Sequence, residues 1–227
     1  MKNFGTMCIS LATAAMLFTG CGALKGGAIG GAAAGALGAG IGALAGGGKG
    51  AAIGAGIGVA VGATAGALIG KKMEKQKAEL EAIEGADVET VTDNNGLDAL
   101  KVTFDSGILF ATNKSDLTAT SKASLDKFAI SLLQNPETDV TIYGHTDSTG
   151  SLEVNQRISL QRAQSVQNYL QSKGIEAGRI VKVEGKAYTE PVASNDTAEG
   201  RAANRRVEVY ISANETMVEQ AEAGTLE

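Results

Sequence analysis

Residues 143–163 read YGHTDSTGSLEVNQRISLQRA. Just ahead of them, Val140 and Ile142 alternate with Thr141 and Tyr143, the period of a half-buried strand, and the pattern runs out at Gly144. Asp147 is therefore expected on a loop at a strand end. A helix is expected to start near Ser151. At helical spacing Asn155, Ser159 and Arg162 fall on the same face as Ala163, Val166 and Leu170. Polar groups on an inward face are costly unless each finds a partner, and a helix that only packed would carry leucine there. A guanidinium offers a planar fork of donors to a carboxylate, and an aspartate accepts from an ammonium. Asp147 and Arg162 together thus suit a small ligand that carries both groups; the plain alternative is a salt bridge between the two.

Working outward, ADVETVT (86–92) and LDALKVTF (97–104) read as a β-hairpin turning at Asn95 and Gly96. Leu125, Phe128, Ala129, Leu132 and Leu133 form the apolar stripe of a helix that stops at Asn135 and Pro136. After the second helix and a cap at Gly174 comes the strand IVKVE (180–184). A loop over residues 186–199 and a short turn of helix lead to RRVEVYI (205–211). On that last strand Arg205 shares the parity of Val207, Val209 and Ile211 and is expected to point inward, with Arg206 facing water. The order β, α, β, α, β, β predicts an α/β (α+β) sandwich with both helices on one sheet face. Residues 71–85, rich in interspersed Glu and Lys, read as a solvated helical stalk, and the acidic residues 214–227 as a disordered tail.

The stretch resembles the OmpA-like peptidoglycan-binding domain. Its GxTDxxG signature is matched at Gly144 to Gly150, and its N, LS and RA elements by Asn155, by Ile158 with Ser159, and by Arg162 with Ala163. Phe110 and Leu117 match the opening segment, and Gly200, Arg201, Ala202, Asn204, Arg205, Arg206 and Val207 the closing one. The likeness runs from about residue 100 to 213, inside a domain bounded at 86–213. It implies that the ligand is the free amino-acid end of diaminopimelate in a peptidoglycan stem peptide. Asp147 would meet its ammonium and Arg162 its carboxylate, with Gly144, Thr146, Asn155, Ser159 and Arg205 around them. Many members of the family carry an acidic residue where this chain has Ala111, so one auxiliary contact to the ammonium is missing. His145, the only histidine, is expected to order its loop, since no nucleophile or metal partner recurs near it.

At the N-terminus Met1 and Lys2 precede ISLATAAMLFTG (9–20), an apolar run too short to span a bilayer and laid out as a secretory signal over residues 1–20. LFTGC (17–21) resembles a bacterial lipobox, which implies cleavage before Cys21 and a diacylglycerol on its sulfur. Phe18 stands where leucine is usual, and an ordinary signal with an incidental cysteine is the alternative. Cys8 would leave with the signal, so no disulfide is expected. Gly22 is not the retention aspartate of inner-membrane lipoproteins, which favours an outer-membrane location with the domain facing the periplasm. Residues 21–70 then form an anchor and a glycine-zipper segment. Every fourth residue from Gly26 to Gly70 is glycine except Ala34, and large residues such as Ile29, Leu37, Ile41, Ile53, Ile57, Val61 and Ile69 keep one register. GGGKG (46–50) divides the run into a predicted helical hairpin. Because each glycine costs a helix about 1 kcal/mol against alanine, such helices need packing or lipid. A flexible tether is the alternative.

A formal charge of -5 with 4% aromatic residues and no basic patch argues against nucleic acid. No paired acids, metal cluster or activated nucleophile suggests an enzyme, a cofactor or a metal. The expected function is non-covalent peptidoglycan binding by a lipid-anchored outer-membrane protein, tethering envelope to wall. The alternative makes the zipper the active part, a homo-oligomer that forms a pore or perturbs the bilayer while the OmpA-like domain only positions it.

Overall fold

The computed structural model describes residues 61–110 and 114–227. The signal segment, Cys21, the zipper up to residue 60, and Ala111 lie outside them. Five strands, β1 (Ala86–Thr92), β2 (Asp98–Asp105), β3 (Thr138–His145), β4 (Ile180–Ala187) and β5 (Arg206–Ala213), form one sheet in the order β1-β2-β5-β3-β4. All neighbours are antiparallel except β3 and β4. Six helices accompany them: α1 (Ala63–Glu81), α2 (Ser106–Leu109), α3 (Ala119–Gln134), α4 (Leu152–Ser172), α5 (Ala198–Asn204) and α6 (Glu215–Glu222). From β2 onward the long elements run β, α, β, α, β, β, the predicted sandwich, with β1 added as a hairpin partner.

Local chemistry places the boundaries. The β1–β2 turn is closed by Asp93, whose Oδ1 accepts from the amides of Asn95 and Leu97 at 2.8 and 2.9 Å, while Gly96 takes the left-handed φ of 78°. Side-chain oxygens of Thr118, Ser151, Thr197 and Asn214 cap α3, α4, α5 and α6 by accepting an amide of the first turn. Register puts Leu100, Val102, Phe104, Val140, Ile142, Val207, Val209 and Ile211 on one sheet face, where they share a core with Leu125, Phe128 and Leu132 of α3 and Ala163, Val166 and Leu170 of α4. Leu133, expected in that stripe, is 47% exposed.

Two expectations fail at the ends of the domain, both because side chains that look isolated in sequence meet a shared surface. The segment read as a solvated stalk belongs to α1, which packs on β1, β2, α3 and α6 and buries Ala65, Ile69, Met73, Gln76 and Leu80. Lys72 crosses this contact to Glu137 at 2.8 Å and to the Glu227 carbonyl at 2.7 Å. The last residues of the zipper, 63–70, are the first turns of the same helix. The acidic tail, read as disordered, forms α6, because Met217, Val218 and Ala221 line one face of it and are buried. At about 1.5–3 kcal/mol for a fully buried apolar side chain, Met217 and Val218 are enough to hold so short a helix. No helix of the described residues is long and apolar enough to cross a membrane.

The opposite sheet face is polar, and along β5 it is buried. There Arg206 Nε donates to Glu208 Oε1 at 2.7 Å and the Tyr210 hydroxyl donates to Glu208 Oε2 at 2.8 Å. Arg206 also reaches the carbonyls of Glu190 and Asn204. Arg206 does not face water as predicted: it is 4% exposed, since the loop before α5 supplies the Glu190 carbonyl and the end of α5 the Asn204 carbonyl. Burial alone would raise the pKa of Glu208, but the neighbouring His145 and Arg206 hold it well below the usual carboxylate range.

Candidate ligand-binding site

The loop that follows β3 is held in place by the polar residues of α4. Thr146 N–H donates to the Ala187 carbonyl at 2.8 Å, and Ala187 N–H donates to Ser159 Oγ at 3.1 Å. Ala187 is the one non-glycine residue with positive φ among the described residues, at 49°. Ser159 in turn donates to the Gln156 carbonyl at 3.0 Å. One buried hydroxyl thus links α4 to the end of β4 and, through it, to the loop that carries Asp147. Close approach makes this geometry available, since a β-carbon at Gly144 or Gly185 would collide with the backbone of α4 at Ser159 or Leu160. Asn155 secures the far side of the loop, donating from Nδ2 to the Thr149 carbonyl at 2.9 Å. A second brace comes from Asn195, whose Oδ1 accepts from Ser148 N–H and from Asn204 Nδ2.

Three charges converge on this frame. Asp147 Oδ1 accepts from Thr149 N–H at 2.9 Å, and its Oδ2 pairs with Arg205 Nη1 at 2.7 Å. Burial raises the pKa of Asp147, but the bonds from Arg205 and Thr149 prevail and lower it. Arg162, 6% exposed, rises from α4, donates from Nε to the Lys114 carbonyl at 3.2 Å and lies 5.2 Å over the Phe110 ring. Burial first, and then the charge of Arg205, pull its pKa below the ordinary arginine value, against the opposing pull of Asp147. The guanidinium stays charged all the same. Among the described residues no carboxylate lies within ion-pair distance of Arg162.

The salt bridge between Asp147 and Arg162, the plain alternative reading, is therefore absent; Asp147 pairs with Arg205 instead. Arg205 reaches the site from the C-cap of α5, one residue before β5, and not as an inward residue of that strand. Gly144, Asn155 and Ser159 act on the loop through packing and hydrogen bonds. Thr146 keeps its hydroxyl buried with no partner among the described residues. His145 is buried at the end of β3, on the polar face, with Nε2 3.5 Å from Glu208 Oε2. Sequence reasoning missed the seat of Arg162, because a backbone carbonyl leaves no signature at Lys114. Phe110 matches the family's opening segment, but nothing in its sequence neighbourhood marks the ring as a platform for Arg162. Sequence reasoning also missed the brace through Asn195 and Asn204, for which the only signal was a buried-type asparagine among arginines.

Residues 109–205 match the OmpA family. The chain is 41% identical over 105 residues to the probable lipoprotein YiaD of Escherichia coli, which covers 46% of this chain and 48% of that protein. It is 40% identical over 105 residues to the peptidoglycan-binding protein ArfA of Mycobacterium tuberculosis, covering 46% of this chain and 32% of that protein. It therefore spans about half the length, or less, of these curated relatives. A solved structure described as the cell wall anchor of the T6SS from Pseudomonas aeruginosa superposes with a TM-score of 0.53 at 32% identity, over 63% of this chain and 97% of that one. The matched residues contain the Asp147 loop, the Arg162 helix and the Arg205 cap in one stretch, and that stretch is a domain of the OmpA family.

Proposed function

We propose that the chain binds peptidoglycan without forming a covalent bond, by holding the zwitterionic end of a diaminopimelate stem peptide between Asp147 and Arg162. The observation that carries this reading is the unmatched charge of Arg162. A guanidinium buried to this degree and lacking a carboxylate partner among the described residues requires an anion. A carboxylate delivered by a ligand meets that need in two parallel bonds. Asp147, ionised below the usual range, stands in the same site for an ammonium. The relatives support the reading, one named as a peptidoglycan-binding protein and one structure described as a cell wall anchor. The module works by binding and not by catalysis. Attachment to the outer membrane through an acylated Cys21 places the domain in the periplasm, so that a weak single contact acts at high effective concentration.

Arg162→Ala in the full chain tests the site. Charge-assisted hydrogen bonds are each worth about 1.5–3 kcal/mol, so loss of the guanidinium is expected to lower affinity for purified peptidoglycan by roughly tenfold to over a hundredfold. The helix keeps its apolar face and alanine favours helix, so the fold survives. Co-sedimentation equal to wild type would remove Arg162 from the site.

A further inference from the structure

The ion pair between Asp147 and Arg205 stands where the proposed ligand ammonium must go. Asp147 Oδ1 is committed to Thr149 N–H, which leaves Oδ2 as the oxygen facing a ligand, and Arg205 Nη1 already sits on it at 2.7 Å. The two arginines differ in freedom. Arg162 is clamped by the Lys114 carbonyl and the Phe110 ring and is almost wholly buried. The Arg205 side chain is 40% exposed, and the pair with Asp147 is its side-chain anchor among the described residues. The two guanidiniums also lie near enough that the charge of Arg205 disfavours that of Arg162.

We propose that Arg205 is a displaceable internal counter-ion that makes the site selective for a zwitterion; the inference rests on the wall-ligand reading above. A lone ammonium arriving at Asp147 meets a cation already bonded there and a second one close by. It binds only by expelling Arg205 into water with nothing in exchange, or by tolerating repulsion between like charges. A ligand with its own carboxylate changes this. Its ammonium takes Oδ2 of Asp147, and the released Arg205 swings onto the ligand carboxylate beside Arg162. Each charge then keeps a partner, and the repulsion between the guanidiniums is relieved by an anion between them. Arg205 thus acts against an ammonium alone and in favour of an ammonium with a carboxylate.

The experiment is calorimetric titration of the full chain, in detergent micelles, with two stem tripeptides that differ by one carboxylate, one ending in diaminopimelate and the other in lysine. Wild type is expected to prefer the diaminopimelate peptide. Arg205→Ala is expected to lower affinity for that peptide about tenfold while raising affinity for the lysine peptide severalfold, so that the preference collapses. Arg205→Gln, which keeps length and a hydrogen-bonding end, is expected to shift both peptides in the same directions and guards against a simple loss of fold. An equal drop for both peptides would make Arg205 an ordinary contact, and no change for either would make it a bystander; each result overturns the exchange. If wild type prefers the diaminopimelate peptide and Arg205→Ala keeps that preference, the wall-ligand reading stands and the exchange fails; if wild type binds both peptides equally, the exchange fails together with the pairing of Arg162 and the ligand carboxylate. If wild type binds neither, the wall-ligand reading itself falls.

Discussion

Asp147 is a residue whose charge is shaped by its surroundings before any ligand arrives. Arg205 and Thr149 N–H favour its ionised form over the cost of burial, so its folded-state pKa lies below that of the unfolded chain. A carboxylate depressed in this way contributes stability that is fully present above the unfolded value, about 4, and is lost as pH falls through the folded value. The partner is substantially exposed, so the contribution is about 1 kcal/mol or less. Asp147→Asn is accordingly expected to lie slightly below wild type in urea midpoint at neutral pH, with the gap closing as pH drops below about 4. A gap that widens in acid would mean that the carboxylate is not the stabilised form. At this scale much was legible in sequence. Polar residues on the inward face of a predicted helix announced a site, since nothing but a partner or a ligand makes that placement tolerable. What sequence could not supply was the pairing, because Asp147 and Arg205 are brought together by β5 lying beside β3, a contact between distant parts of the chain.

Among the elements, α1 departs furthest from its sequence reading. Its charges suggested a helix in water, but Ile69, Met73 and Leu80 recur on one side at helical spacing and share the core with Leu97, Leu100 and Leu132. Charge interspersed along a helix says only that one face is wet, and the apolar stripe decides what the other face does. Because α1 is buried into the same core as β2 and β5, amides over residues 69–80 are expected to exchange with deuterium at rates close to those of β5. A free stalk would exchange orders of magnitude faster, as frayed and solvated segments do. Rapid exchange over those residues, with β5 protected, would detach α1 from the domain. The hairpin, the two long helices and their stops at Asn135 and Gly174 were all legible, since alternation, apolar stripes and caps are local signals. The helical α6 was not, because Met217 and Val218 are too few to mark a helix until a surface exists to receive them.

For the molecule as a whole, the proposal joins two attachments, lipid at Cys21 and wall at the Asp147 loop. Cys21→Ser removes the only sulfur that could carry the acyl group in a chain cleaved before residue 21. Lipid chains contribute about 0.8 kcal/mol per buried methylene, so the variant is expected to lose a metabolic fatty-acid label and to leave the membrane fraction, while the chain still sediments with purified peptidoglycan. Equal labelling of variant and wild type would exclude acylation at Cys21. By itself the sequence determined the order of strands and helices around the site, the loop bearing Asp147, the helix face bearing Arg162 and the likeness to the OmpA family. These are written in short-range periodicity and in motif spacing, which survive without knowledge of what lies across the fold. Only the tertiary structure decided that Arg205 holds Asp147, that Arg162 rests on Lys114 and Phe110, that Arg206 is buried with Glu208, and that α1 and α6 close the domain. Each of these depends on which surfaces meet. A side chain's partner is set by strand order and helix packing, and neither is written in its own neighbourhood of the chain.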